Sequence, residues 1–559
     1  MSEGGRTLRL ALLQLPAFEL ADHEAAWQEL LRRIDEAAAG SSAGPPDLIV
    51  LPEASYPGYY LHSREAYDAA NVYADEEVED VLGEHAARHG CAIAVGLVQR
   101  GGGDASDGGL LRNVAVLFGR DGRVAARQPK RFLWHFDRRW FTPGEAGAPI
   151  ALEAAATGAA EAVGHAGLFI CSDGRLPEIT RELALGGAEL LVDCTAWVSS
   201  GRDPAALSNP QVDYMLAARA IENGAWIAAA DKVGVEADSI VYAGRSGVVD
   251  PSGRWRAQAP SDSPGIVHAV IDLDEASGPP VAPRIELYGA AAASADSPAE
   301  PDPGDAEIVR VAAVAIEVTP SAVELMEQLR ALVTTLATQG AELVVLPDLA
   351  RTDADALDEA ELLPLLRTLS ADAGVMLAVG LAERDGEATH KRLSLLDAGE
   401  VIASCRQAHV DEAERGAGYS AGADPPPLVE TRLGRIGLLL AGDALAPEPA
   451  HGLRLQGAEL LVWCAQPLPG LAPEALRALA RTRAAENRVW LAASAGSEET
   501  GGAYVVDPSG AVAAEALAGR PIAVAADVQR GLARWSRVAP DTDPIAEHRP
   551  ASYLARGGA

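Results

Sequence analysis

Lysine is nearly missing from this sequence: of 46 basic residues only three, Lys130, Lys232 and Lys391, are lysines. Arginine fills almost every other cationic role, so a retained lysine marks a place suited to a compact ammonium and not to a wide planar fork. Cysteine is also scarce. The five cysteines (Cys91, Cys171, Cys194, Cys405 and Cys464) are scattered with no CxxC spacing, which argues against a disulfide frame or a zinc site and suits a reducing cytosol. No apolar run reaches the roughly 18 to 20 residues of a membrane helix. The opening stretch "MSEGGRTLRLALLQLPAF" lacks a basic start, a long apolar core and a small-residue cleavage site, and reads as a first strand and not as a secretory signal. There is no phosphate loop, dinucleotide fingerprint or metal-ligand cluster, so neither cofactor nor metal is expected. A net charge of −34 disfavours nucleic acid and anionic membranes as partners, and a cytoplasmic location is expected.

What is present is a repeat. The chain has 559 residues, too many for one ordinary domain. "DLIVLPEAS" from Asp47 resembles "ELVVLPDLA" from Glu342, and "CAIAVGLVQR" from Cys91 resembles "VMLAVGLAER" from Val375. "GGAELLVDC" pairs with "QGAELLVWC", "RAIENGAWIAAA" with "RAAENRVWLAAS", and "GVVDPSG" with "YVVDPSG", in the same order in both halves. Such order is the mark of a duplication. The joint, residues 290–307, is rich in Ala, Ser, Pro, Asp and Gly without an apolar period, a linker composition. The expected domains are 1–289 and 308–559, each long enough for its own core.

Within a half, apolar strands alternate with amphipathic helices. "LRLALLQL", "DLIVLP", "CAIAVGLV", "NVAVLFG", "AGLFIC", "AELLVDC" and "AWIAAAD" read as strands. Helices are expected over 22–39, 77–89, 177–186 and 209–223, the first with Trp27, Leu30, Leu31 and Ile34 on one face. Hairpins are expected at "FGRDGRV" and "VDPSGRW". An α/β layered fold follows.

Three reactive residues stand at strand ends, where open α/β sheets place their sites. Glu53 follows "LIVLP", Lys130 follows "RVAARQP" and Cys171 follows "GLFI". Singly, each has a bland reading as a capping, solvated or packing residue. Aligning the halves pairs them with Asp348, Gln407 and Ala441, so all three differ while the scaffold persists. One working site and one retired site explain that pattern. The set is chemically coherent. A thiol needs a base before it attacks. A lysine and the backbone N–H after the nucleophile can hold an oxyanion. The carboxylate can then protonate a leaving amine.

These stretches resemble the nitrilase superfamily of carbon–nitrogen hydrolases. The marks are "LPEASYPGY", "PKRFLWHFDRRWFTPGE" and "ICSDGRLPEITRELALGGAELLV", in the right order and spacing. The resemblance implies two tandem four-layer αββα sandwiches. It makes Glu53 the general base, Lys130 the oxyanion partner, Cys171 the nucleophile and Ser172 the donor of a backbone N–H. It puts Asp137 near the second glutamate of many members; a plain ion pair with Arg138 or Arg139 is the equal alternative. Tyr59, Trp134 and Trp197 fall in loops that line the pocket in relatives, with packing as their competing role. Cys194, matched by Cys464, and Cys91 read as structural.

Ser-Asp after the cysteine, in place of Trp-Glu, is more similar to the amidase and N-carbamoyl-amine hydrolase branches than to true nitrilases. The implied activity is hydrolysis of a small amide or N-carbamoyl compound. A nitrile hydrolase and a non-catalytic scaffold are the alternatives. The second half then stands as a pseudoenzyme domain. Relatives commonly dimerise, which implies an intramolecular pseudo-dimer here, with further self-association open. On that expectation, isolated residues 1–295 self-associate or lose activity in gel filtration and assay. A monomeric, stable and fully active fragment excludes the pairing.

Overall fold

Alternation in the first strand decides the layering. In the computed structural model, which describes residues 5–100, 111–153, 162–288, 307–317, 321–350, 359–468, 470–496, 501–516 and 521–548, that strand is Thr7–Pro16. Leu8, Leu10 and Leu12 point to one face and pack on a second sheet through Leu168, Leu190 and Ala228. Ala11, Leu13 and Leu15 point to the other and meet Trp27, Leu30 and Ile34 of the helix His23–Ala38 and Leu82 and Ala86 of the helix Asp75–His89. Period-two side chains thus glue a sheet to helices on one side and to a sheet on the other. The second sheet is covered in turn by Ile179 and Leu183 of Pro177–Leu185 and Leu216 and Ala220 of Leu216–Asn223. The result is an αββα sandwich. Each fully buried leucine or isoleucine in it contributes about 1.5–3 kcal/mol.

The first sheet runs Lys232–Val233, Thr7–Pro16, Leu48–Val50, Ala92–Arg100, Leu111–Phe118, Val124–Pro129, with Gly265–Asp272 antiparallel beside Thr7–Pro16. Its centre is parallel. The expected hairpin at "FGRDGRV" joins Leu111–Phe118 to Val124–Pro129. The second sheet runs Trp255–Gln258, Gly247–Val249, Trp226–Ala230, Leu190–Cys194, Ala162–Phe169, Ile150–Glu153, again with a parallel centre. Its buried strands read as continuous apolar runs because both faces are covered.

The chain divides into two compact units, one spanning Met1–Pro279 together with Ala539–Thr542, the other spanning Pro280–Val538 and continuing from Asp543. The expected linker 290–307 lies, apart from Glu307, outside the described residues. The second unit repeats the six main strands of each sheet, but among the described residues it has no counterpart of Lys232–Val233 or of the small hairpin Val235–Glu236 with Ile240–Val241. One sheet runs Glu400–Arg406, Ala388–Asp397, Met376–Asp385, Leu343–Asp348, Ile308–Ala315, Ile522–Gln529. The other runs Leu428–Thr431, Gly434–Leu440, Leu460–Cys464, Trp490–Ser494, Ala503–Val506, Val512–Ala516. Helices Ala322–Thr338 and Glu359–Ala373 cover the first of these through Leu329, Val333, Leu362 and Leu366. Among the described residues no helix is long and apolar enough to cross a membrane.

One expected helix differs. Residues 209–223 begin with a π-helical turn, Gln211–Met215, before the α-helix Leu216–Asn223. Such turns redirect a side chain within a helix, and here Gln211 is turned toward the end of the strand that carries Cys171.

The repeated "AVGL" has a packing cause. A Cβ on Gly96 would lie 2.5 Å from the Glu53 Cα and 2.6 Å from the Pro52 carbonyl oxygen. On Gly380 it would lie 3.0 Å from the Asp348 Cα. Only glycine lets the neighbouring strand approach the carboxylate's backbone. Gly96→Ala is expected to destabilise the first unit by about 1–3 kcal/mol and to lower activity by shifting Glu53, read by thermal melting and turnover together. An unchanged melt and rate would refute the close-approach account.

Candidate active site

Three loops at one end of the first sandwich converge on a dry cluster. Glu53 follows Leu48–Val50, Lys130 follows Val124–Pro129, and Cys171 follows Ala162–Phe169 by two residues. Glu53 and Lys130 are fully buried, while Cys171 keeps 7% of its surface exposed. The Lys130 Nζ lies 2.6 Å from Glu53 Oε1 and 2.7 Å from Asp137 Oδ2. Asn113 Nδ2 also donates to Glu53 Oε1, at 2.6 Å. The other Glu53 oxygen, Oε2, is buried without a hydrogen-bond partner. Asp137 is further held by the Tyr59 hydroxyl, which donates to its Oδ1 at 2.9 Å, and by the Trp134 N–H at 2.9 Å. Asp137 therefore pairs with Lys130, and the structure brings it and Tyr59 into the cluster with the three expected residues.

Burial sets the protonation states. It raises Glu53 above the usual carboxylate range against the pull of Lys130, and pushes the Cys171 thiol well up, with Glu53 adding to the effect. Burial opposes the charge on Lys130, but Asp137 and Glu53 outweigh it and hold the ammonium well above its ordinary value. Burial and Asp137 keep Tyr59 a phenol. At rest the thiol is neutral and donates to the Ala196 carbonyl at 3.7 Å.

The candidate thiol sits on a strained turn. Cys171 has φ +47°, a left-handed conformation that costs a non-glycine residue of order 1 kcal/mol. Its N–H donates to Asp193 Oδ1 at 2.7 Å. Its carbonyl accepts from the Gln211 amide nitrogen at 2.7 Å, and the Gln211 oxygen accepts from the Trp197 indole at 2.7 Å. Asp173 ties this turn to the lysine loop: Oδ2 accepts from the Ile170 N–H, and Oδ1 from those of Arg131 and Phe132 at 3.0 and 2.7 Å. The Ser172 hydroxyl donates to the Phe132 carbonyl at 2.6 Å.

A small cleft opens over Cys171 and is lined by Tyr59, Trp134, Arg175, Asn209 and Gln211. Trp197, expected to line it, is fully buried; its neighbours Ala196 and Val198 form the wall, and its indole anchors Gln211 behind it. Arg175 lies over the Trp134 ring with its Cζ 4.5 Å from the centroid. Cys194 and Cys91 are buried in the hydrophobic clusters, as structural residues would be. The sequence reading passed over Asn113, Asp193, Arg175, Gln211 and Glu236. Two had a signal: Asn113 interrupts the apolar "NVAVLF" and Asp193 interrupts "LLVDC", and a polar residue inside a buried strand must have a partner.

The second unit keeps the frame without the thiol. Ala441 has φ +44°, and Asp443 Oδ1 accepts from the N–H groups of Ala408 and His409 at 2.9 and 2.8 Å. Gln407 stands where Lys130 does, its N–H on the Lys391 carbonyl as that of Lys130 is on Asn113. The cation has moved to the strand: Lys391 Nζ lies 3.0 Å from Asp348 Oδ2 and 2.8 Å from Glu414 Oε1. Gln407 now supplies the amide, donating to Glu414 Oε2 at 2.8 Å. Trp463 replaces Asp193 and donates to the Ala441 carbonyl at 3.0 Å.

Comparison with known proteins gives one family twice. The profile described as Carbon-nitrogen hydrolase matches residues 9–278 and again 310–537. An (R)-stereoselective amidase of Pseudomonas sp. is 29% identical over 238 residues, covering 42% of this chain and 76% of that protein. A nitrilase of Pyrococcus abyssi is 28% identical over 229 residues, covering 40% and 77%. The crystal structure of an amidase from Nesterenkonia sp. is 27% identical and covers 52% of this chain and 97% of its own, with a TM-score of 0.39.

Because Ala441 holds the same backbone conformation without a thiol, Cys171→Ala is expected to leave the far-ultraviolet spectrum and unfolding midpoint unchanged while abolishing turnover. A large loss of stability, or appreciable residual activity, would contradict the assignment.

Proposed function

The chain belongs to the carbon–nitrogen hydrolase family, and from that footing we propose that its first unit is a thiol amidohydrolase acting on a small non-peptide amide or N-carbamoyl compound. One observation carries the reading. Glu53 Oε1 is taken up by Lys130 and Asn113, whereas Oε2 is buried without a hydrogen-bond partner. A carboxylate oxygen left bare beside a buried thiol has a proton to receive.

In the proposed cycle Glu53 Oε2 takes the thiol proton as Cys171 Sγ bonds to the substrate carbonyl carbon. The oxyanion is held by the Lys130 ammonium and the Ser172 N–H. The C–N bond breaks, Glu53 returns the proton to the leaving nitrogen, and ammonia or an amine departs. Water then attacks the thioester as Glu53 takes its proton, the C–S bond breaks to release the carboxylic acid, and Glu53 returns that proton to the departing sulfur to restore the thiol. Asp137 balances Lys130 so that the ammonium stays charged with or without Glu53 ionised. Every step uses side chains of this unit.

Arg175 narrows the substrate. Its guanidinium lines the cleft and lies over the Trp134 ring, and among the described residues no carboxylate is paired with it. A cation in that position favours an amide that also carries an anionic group, and the small cleft favours a short one. Tyr59 and Trp134 supply apolar walls. Nitrile hydrolysis is the second reading, supported by the similarity to the Pyrococcus abyssi nitrilase.

The test is a release assay for ammonia over paired amides, N-carbamoyl amines and nitriles, each with and without a carboxylate, joined to intact-mass detection of an acyl adduct. Amide or carbamoyl turnover with an adduct on Cys171, weakened by Arg175→Ala for the anionic members alone, supports the reading. Turnover of nitriles only selects the second reading, and no adduct across the panel supports a non-catalytic protein.

A further inference from the structure

A second buried ion pair lies behind the site and takes no part in the proposed cycle. Lys232 and Glu236 are buried at 3% and 0% exposure. The Lys232 Nζ donates to the Ala54 carbonyl at 3.0 Å and lies 3.8 Å from Glu236 Oε2. Ala54 follows Glu53 directly and holds φ +43°. Glu236 Oε1 accepts from the backbone N–H groups of both Tyr59 and Tyr60, at 2.8 and 2.7 Å. Its Oε2 accepts from the Tyr242 hydroxyl at 2.6 Å. One carboxylate thus gathers three donors, two of them buried and the Tyr60 N–H half-buried, and removing it would leave all three without this partner.

Tyr59 connects this pair to the reacting cluster. Its backbone hangs on Glu236, its hydroxyl donates to Asp137, and Asp137 holds Lys130. Two ammonium groups approach its ring, Lys130 Nζ at 5.6 Å and Lys232 Nζ at 5.9 Å from the centroid. A second observation comes from the repeat. In the first unit residues 231–246 join the strands Trp226–Ala230 and Gly247–Val249 and carry Lys232, Glu236 and Tyr242. In the second unit residues 495–502 make the same connection, about half as long and without a lysine. The half that lost its cysteine also lacks the segment that bears this pair.

We propose that Glu236, braced by Lys232, is a positioning residue that sets Tyr59 and, through Tyr59 and Asp137, the place of the Lys130 ammonium beside Cys171. This rests on the reading of Cys171 as the reactive thiol, and the test uses a readout that does not depend on any amide being a substrate. Alkylation of Cys171 by iodoacetamide is followed by intact mass against pH in the full-length protein, with Cys171→Ala as the blank. The variants are Tyr59→Phe, Glu236→Ala and their double. Lys130 favours the thiolate, so loosening it moves the alkylation midpoint to higher pH. Both single variants are expected to shift the midpoint upward and to slow alkylation at neutral pH by roughly tenfold, an effect of misplacement alone. The double is expected to be no worse than the more impaired single, because the two residues act along one chain of contacts. Glu236→Gln, whose amide oxygen can still accept both backbone N–H groups, is expected to recover most of the rate.

Additive losses in the double, or a Glu236→Ala profile like that of the wild type, would overturn the proposal. If Glu236→Ala fails to fold by circular dichroism, Glu236→Asp takes its place in the cycle, since it keeps the charge but falls one methylene short of the two amides. Failure of the amidohydrolase reading would show as absent turnover with the alkylation coupling intact.

Discussion

A lysine ammonium held between two carboxylates, all three buried, is the constraint on which this structure turns. Lys130 lies within 2.7 Å of both Glu53 and Asp137, and all three are fully buried. Desolvating such groups is expensive, and losing one partner of a buried set typically costs about 3–5 kcal/mol. The surroundings are therefore arranged to satisfy it: Asn113 on an apolar strand, Tyr59 and the Trp134 N–H on Asp137, and a glycine at 96 that lets the Glu53 backbone come close. Glu53 Oε2 is left bare, free to receive a proton in the proposed reaction.

The second unit shows that this constraint persists where the cysteine is absent. Asp348 and Glu414 remain buried as a carboxylate pair, so a cation is still required between them. It comes from Lys391 on the strand, and the loop position of Lys130 holds an amide, Gln407. Cation and amide have exchanged places while the local charge balance is kept. The left-handed turn also persists at Ala441, because Asp443 still ties it to the neighbouring loop. Losing the thiol is thus one change among several: the Lys130 ammonium, Asp193 and the segment 231–246 differ as well. The scarcity of lysine takes on meaning here, since Lys130, Lys232 and Lys391 are all buried and all lie against buried carboxylates. A compact ammonium fits between two oxygens and over an aromatic ring in a space where a planar guanidinium would not.

The sequence by itself determined the duplication, the α/β layering and the strand-end placement of Glu53, Lys130 and Cys171. These follow from local rules: period-two apolar strands, amphipathic helices and ordered repeats are written in contiguous residues. It also determined that the two halves differ at three reactive positions. Only the tertiary structure decided which charges meet. Whether Asp137 pairs with Lys130 or with a neighbouring arginine, whether Trp197 faces the cleft or stands behind it, and which lysine serves the second unit all depend on loops separated by tens to hundreds of residues. Glu236 and Tyr59 are far apart in the chain, and no spacing in either segment announces that one carboxylate will receive the amides of the other. Burial makes those pairings strong, and burial is a property of the assembled layers, not of any one strand.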